Sequence, residues 1–169
     1  MKCQHFFISR YRQSRLPGAS YYEFQGSLPF EPFEPEFSES LTIISPMFCA
    51  IANEANNAEQ QEWKLIAGPG YRKALEFLVK DYLCRLRPND IEKIKSMQLA
   101  ACIANYVDDS RIKATAARAA WLGNDETHYV RKWEDKDLDD LKKLIQLTCH
   151  WIEMQELTES VIRDMPERE

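Results

Sequence analysis

A chain of 169 residues, 44% of them hydrophobic, has the size of one ordinary domain and enough apolar material to bury a core. Its net charge of −5 and pI of about 5.3 argue against non-specific nucleic-acid binding, which needs clustered Lys and Arg to release counterions, but not against a local basic site. No run approaches ~18 uninterrupted apolar residues, MKCQHFFISRYRQSR lacks the apolar core of a signal peptide, and the cysteines at 3, 49, 84, 102 and 149 form no CxxC pair, so the sequence predicts a cytoplasmic protein with reduced thiols and no membrane contact.

Residues 1–45 differ from the rest and are read as an irregular N-terminal arm or a short hairpin. Lys2, Arg10, Arg12 and Arg15 make residues 1–16 basic without a single acid, and SLPFEPFEPEFSES interleaves Pro, Phe and Glu. Pro29, Pro32 and Pro35 exclude a regular helix there, while Tyr21–Gln25 suits a short strand. From Ser45 the pattern becomes helical and stays so, which makes residues 46–169 an all-α bundle of about four to five helices. Ser45-Pro46 is a start signal, a capping hydroxyl followed by a first-turn proline. Phe48, Ile51, Ala52, Ala55 and Ala58 then recur at helical spacing. Gly68-Pro69-Gly70 predicts a break. After it, Tyr71, Leu75, Leu78, Tyr82 and Leu86 form one stripe that Pro88-Asn89-Asp90 ends. IEKIKSMQLAACIANYV is either one helix or a short turn plus a helix capped by Ser96. Asp108-Asp109 caps an Ala-rich helix that Gly123 is expected to end. A polar turn, NDETHYVRKWE, leads to a long helix from about Asp137 with Leu138, Leu141, Ile145, Thr148 and Ile152 on its apolar face. Residues 134–169 carry eleven acids and five bases, whereas residues 59–95 carry eight bases and six acids, so only the middle of the chain tolerates a phosphate backbone.

Chemistry concentrates in GNDETH, residues 123–128. A histidine on a polar turn titrates near neutral pH and serves as acid or base where it faces a cleft; Asn124 would orient His128 or donate to a phosphate. The alternative is a surface turn, since Gly and Asn both tolerate left-handed backbone. Arg72 and Glu76 share a helix face four residues apart, either as a structural ion pair or as an arginine held ready for an anion. Arg118 and Trp121 either line a groove beside His128 or stack on each other. Cys3 with His5 is two ligands short of a structural zinc site, so no metal or other cofactor is expected. Phosphate-binding glycine loops and a nucleophile elbow are absent from the sequence.

Two stretches, GYRKALEFLVKDYL (70–83) and RAAWLGNDETHY (118–129), resemble a bacterial domain family of unassigned function that occurs alone and fused to restriction endonucleases. That family is similar to the HEPN superfamily of helical bundles, found in toxins, abortive-infection proteins and CRISPR-associated ribonucleases. The resemblance runs over residues 46–155. It implies a HEPN-like bundle and a homodimer in which two motifs face one another. Trp121, Tyr129 and Trp133 are aromatics suited to an interface. Active HEPN ribonucleases share an Arg, a polar residue, three variable residues and a His. Asn124 and His128 match the last two fixed positions, but Gly123 holds the place of the Arg.

In metal-independent RNA cleavage a base accepts the 2′-hydroxyl proton and a cation stabilises the charge on phosphorus. Here that cation would have to be Arg118, Arg72 or Arg131, and losing such a donor costs about two to three orders of magnitude in rate. The favoured expectation is therefore a non-catalytic or degenerate HEPN-like module. It would bind RNA, a nucleotide or a partner protein in a bacterial or phage defence or toxin–antitoxin system. The alternatives are a ribonuclease toxin using His128, with Asn124 and Arg118 or Arg72, and a helical accessory subunit of a larger enzyme.

Overall fold

The computed structural model describes residues 7–16, 19–28, 33–125, 129, 132 and 137–165. The chain divides into two compact units, Met1–Phe33 and Glu34–Glu169. The first contains the hairpin alternative: antiparallel strands β1 (Ile8–Leu16) and β2 (Ala19–Leu28), paired from Ile8↔Leu28 to Leu16↔Ala19. The register shifts between Arg10 and Tyr11, leaving Gln25 as an extra residue on β2. Gly26 beside it has φ +140°, backbone that a side chain resists. Tyr11 and Phe24 face each other edge-on, ring centroids 5.6 Å apart.

The second unit is helical: α1 (Glu39–Ile44), α2 (Pro46–Gln60), α3 (Lys64–Leu86), α4 (Ile91–Ser96), α5 (Leu99–Tyr106), α6 (Ser110–Asp125) and α7 (Leu138–Asp164). Seven helices among the described residues exceed the four to five of the sequence reading because three are short, α1 and α4 with 6 residues each and α5 with 8. α1 lies within the segment read as an arm. The Ser38 hydroxyl caps it by accepting from the Leu41 amide at 3.4 Å, and Leu41 and Ile44 go into the core. Ser45 starts α2 as its sequence context predicts. The buried hydroxyl accepts from the Phe48 amide at 3.3 Å and donates to Asp81 at 2.5 Å. Phe48, Ile51, Ala52, Ala55 and Ala58 are the buried face of α2.

Gly68-Pro69-Gly70 does not break the chain, because α3 runs through it. The break falls earlier, where Glu62 adopts φ 63°. There the Trp63 amide bonds the Ala58 carbonyl at 2.8 Å and the Glu62 amide bonds Glu59 at 2.9 Å, a Schellman closure made without glycine. Pro69 stands near the start of α3, where it removes a single helical bond. Gly70 serves packing, since a Cβ there would lie 2.9 Å from the Ala55 Cβ of α2. Ser96 likewise ends α4, its hydroxyl donating to the Lys93 carbonyl at 3.1 Å, rather than capping α5.

α3 is the central helix, packed against α1, α2, α4, α5, α6 and α7. Tyr71, Leu75, Leu78 and Tyr82 of its predicted stripe are buried, while Leu86 is exposed. α6 begins at an Asp109 cap whose carboxylate accepts from the Arg111 and Ile112 amides. Asp137 and Asp140 form a capping box on α7, whose Leu141, Ile145, Thr148 and Ile152 are buried and whose Leu138 is half-buried. Among the described residues, no helix is long and apolar enough to cross a membrane.

Candidate functional site

α6 does not stop at Gly123. It continues to Asp125, and Gly123 is a buried interior residue at the contact with α3. The reason is Arg72. A Cβ on Gly123 would lie 2.6 Å from Arg72 Cγ and 2.8 Å from Arg72 Cβ, so the arginine stem occupies the space a side chain would need. Laid across α6 in this way, the guanidinium reaches the next residue. Arg72 Nε donates to Asn124 Oδ1 at 2.7 Å, and Arg72 Nη1 donates to Glu76 Oε2 at 2.7 Å. Glu76 is shared, because Lys80 Nζ bonds its other oxygen at 2.7 Å and also reaches the Lys95 carbonyl at 3.2 Å. Residues 72, 76 and 80 thus form a ladder of alternating charge along α3, with Asn124 of α6 at its end.

Burial disfavours ionisation of Glu76, but hydrogen bonds and charge from Lys80 and Arg72 outweigh it and hold the carboxyl below its ordinary range. The three charges sum to one positive, all on partly covered side chains. Beside them lies a cleft of about 460 Å³ whose charged lining is Lys73, Lys80 and Lys95 with Glu76 and Asp81, and whose apolar lining is Phe77 and Cys84. Asp125 closes the far end of α6. It is buried, and both carboxylate oxygens accept from the Lys132 amide, at 2.8 and 2.9 Å. This ties the Lys132 backbone to the end of α6.

His128 and Arg131 themselves lie outside the described residues, as do Cys3, His5 and Trp133. Arg72, Glu76 and Asn124 come together. Arg118 does not join them. It is exposed, and its Nη1 turns back to the Ala114 carbonyl at 2.8 Å within its own helix, so it is neither a partner of Arg72 nor spent on Trp121. Trp121 is half exposed on α6, and Tyr129 is fully exposed. His150 is an exposed residue on the rim of a separate cavity of about 430 Å³ enclosed by residues 35–38, α1, α2, α3 and α7. Cys149 at that cavity is pushed up to about 12, by burial first and the Glu153 charge second, which makes it an inert thiol. Among the described residues no cluster of three or more His, Cys, Asp or Glu is placed to hold a metal ion.

The chain matches no protein-family model, no curated protein and no solved structure. The site therefore rests on its own geometry.

Sequence reasoning passes over two of its members. Lys80 carries a legible signal, the four-residue step that continues Arg72 and Glu76. Asp125 carries none, because the middle of an apparent polar turn gives no sign that a carboxylate is buried there to hold the amide of Lys132.

Gly123→Ala sets a helix-propensity gain of about 1 kcal/mol against overpacking of about 1–3 kcal/mol. Arg72 Cβ and Cγ cannot swing aside as a side-chain tip would, so the second term prevails. Thermal denaturation is expected to show a Tm about 2–8 °C lower; an unchanged or raised Tm contradicts the contact. Glu76, with its lowered carboxyl, stabilises the fold above its ordinary pKa of 4.5 and loses that contribution as pH falls through the depressed value. Urea titrations should therefore show the stability gap between wild type and Glu76→Gln closing as pH is lowered from about 7 to 3. A pH-independent gap contradicts the ion-paired assignment.

Proposed function

We propose that the chain is a cytoplasmic, non-catalytic HEPN-like module that binds RNA or a nucleotide in a bacterial or phage defence or toxin–antitoxin setting, with Arg72 as its phosphate contact. The observation that carries this reading is the course of Arg72. Its stem crosses Gly123, which stands where a HEPN ribonuclease has its motif arginine, and its guanidinium bonds Asn124, the adjoining motif position. An arginine from α3 thereby supplies the charge that position 123 of α6 lacks. A planar guanidinium pinned at two edges is an oriented donor for a phosphate oxygen. Along the neighbouring cleft Lys73, Lys80 and Lys95 outnumber Glu76 and Asp81 by one charge, and Phe77 offers an aromatic face to a base. A homodimer with two such sites facing one cleft belongs to the same reading.

Binding is favoured over cleavage because Asn124 and Glu76 already engage the guanidinium, and Glu76 offsets its charge. Less charge is left to stabilise a phosphorane-like transition state. The position of Arg72 also gives the ribonuclease alternative its one concrete support. In that case Arg72 stands in for the motif arginine and His128 accepts the 2′-hydroxyl proton.

Labelled single-stranded and structured RNAs in EDTA test both. Anisotropy should show binding by wild type and about tenfold weaker binding by Arg72→Ala, with the slope of log K against log salt shallower by about 0.7. No cleavage is expected from wild type or from His128→Ala. Cleavage by wild type alone overturns the non-catalytic reading in favour of the ribonuclease. Equal RNA affinity in wild type and Arg72→Ala removes Arg72 from the site.

A further inference from the structure

The cavity of about 430 Å³ lies within the helical unit and shares no lining residue with the Arg72 site or its cleft. Its floor is apolar. Leu41 of α1, Phe48 and Ala52 of α2, and Ile145 and Cys149 of α7 all face it, and all are buried. Folded cores hold few voids larger than a water molecule. A hollow of roughly 300–1,000 Å³ with an apolar wall and a few polar groups is instead the form of a small-molecule site. Residues 35–38, the end of the Pro/Phe/Glu strip, complete the wall. Phe37 meets Phe48 edge-on there, ring centroids 5.3 Å apart, and Glu36 comes with it.

The charges of the lining select the ligand. Lys142 is held by two carboxylates, Glu59 at 2.8 Å and Asp139 at 3.5 Å. Burial works against its charge, but Glu59 and Asp139 outweigh burial and raise its pKa. Tyr71 donates to the other Glu59 oxygen at 2.7 Å, so this end of the cavity is tied together across α2, α3 and α7. Eleven residues along α7, about 16 Å at the helical rise, stands Glu153. It is half-buried, and among the described residues no base pairs with it. Its charge is felt in the apolar wall, since it adds to burial in pushing up the Cys149 thiol. Gln146 and His150 are exposed at the rim. An anion entering the cavity meets a lysine already engaged twice, whereas a cation meets Glu153 and Glu36.

We propose that this cavity binds a small organic ammonium ion. Its apolar or aromatic body lies among Phe37, Phe48, Ile145 and Cys149, and its ammonium group donates to Glu153, with Glu36 adding to the attraction. Aromatic rings in the wall suit the same ligand, because ring faces attract ammonium groups. The proposal is independent of the Arg72 site.

An NMR titration of the isotope-labelled full chain tests it, with phenylpropylamine, phenylpropanol and phenylpropionate as probes that share a body and differ in head group. The amine should shift amides of residues 35–38, 48–56 and 142–153, the segments that line the cavity. It should bind about tenfold more tightly than the alcohol, the expected gain from one hydrogen bond to a charged group at a partly covered site, and the carboxylate should bind most weakly. Glu153→Gln keeps the shape of the side chain and should remove the amine's advantage while leaving the alcohol's affinity unchanged. Ala52→Leu fills the floor and should abolish binding of both, with helical circular dichroism retained; if that variant loses its helical signal, Glu153→Gln still decides. No shifts with several millimolar amine overturn the proposal. So do a carboxylate that binds as well as the amine, an alcohol that matches it, and a Glu153→Gln variant that binds all three probes as wild type does.

Discussion

The stem of Arg72 lies where Gly123 would carry a side chain, and the meeting of α3 with α6 is arranged around that contact. Because α6 has no Cβ at this point, its backbone comes close enough to α3 for a guanidinium to reach over it and bond Asn124. A glycine inside a helix costs about 1 kcal/mol relative to alanine. Hydrogen bonds to a charged donor contribute about 1.5–3 kcal/mol when well shielded and less at a partly exposed site, so the close approach offsets the weakness that the glycine introduces. Beyond it, Asp125 is drawn into the core, where its carboxylate holds the Lys132 amide. One small residue thus sets the depth of the helix contact and lets Arg72 reach Asn124.

The other flank of α3 repeats the device. Gly70 faces Ala55 of α2 with no room for another carbon, and the buried residues of α6 include Ala116, Ala119 and Ala120. α3 therefore sits between two helices that approach it through small residues, while its own large side chains, Leu75, Leu78 and Tyr82, fill the remaining space. This gives the polar ladder of Arg72, Glu76 and Lys80 a rigid base, and a site on a central helix keeps its geometry better than one on a loop.

Periodicity made the buried faces of α2, α3 and α7 legible, because a single helix must turn its apolar residues one way whatever it packs against. Glycine was misread twice for one physical reason. A glycine that ends a helix and a glycine that admits a neighbour look alike in sequence, and only the partner distinguishes them. Ala55 and Arg72 are the partners here, and Arg72 is 51 positions from Gly123. The true break before α3 passed unseen because Glu62, not glycine, takes the left-handed conformation. Within the site, Arg72 with Glu76 followed from a four-residue step, and the polar turn GNDETH singled out Asn124. Their meeting was not legible, since it depends on how α3 crosses α6. The hairpin was one of two readings of the arm, and its pairing depends on a bulge at Gln25 that alternation does not announce.

The account depends on Arg72 and Asn124 acting as one unit across two helices. A double-mutant cycle measures this directly, comparing the unfolding free energies of wild type, Arg72→Ala, Asn124→Ala and the double variant. A coupling energy of about 1–2 kcal/mol is expected for a charged hydrogen bond at a partly covered site. Additivity within about 0.3–0.5 kcal/mol, the range of independent positions, would contradict the claim that the arginine from α3 completes the site on α6.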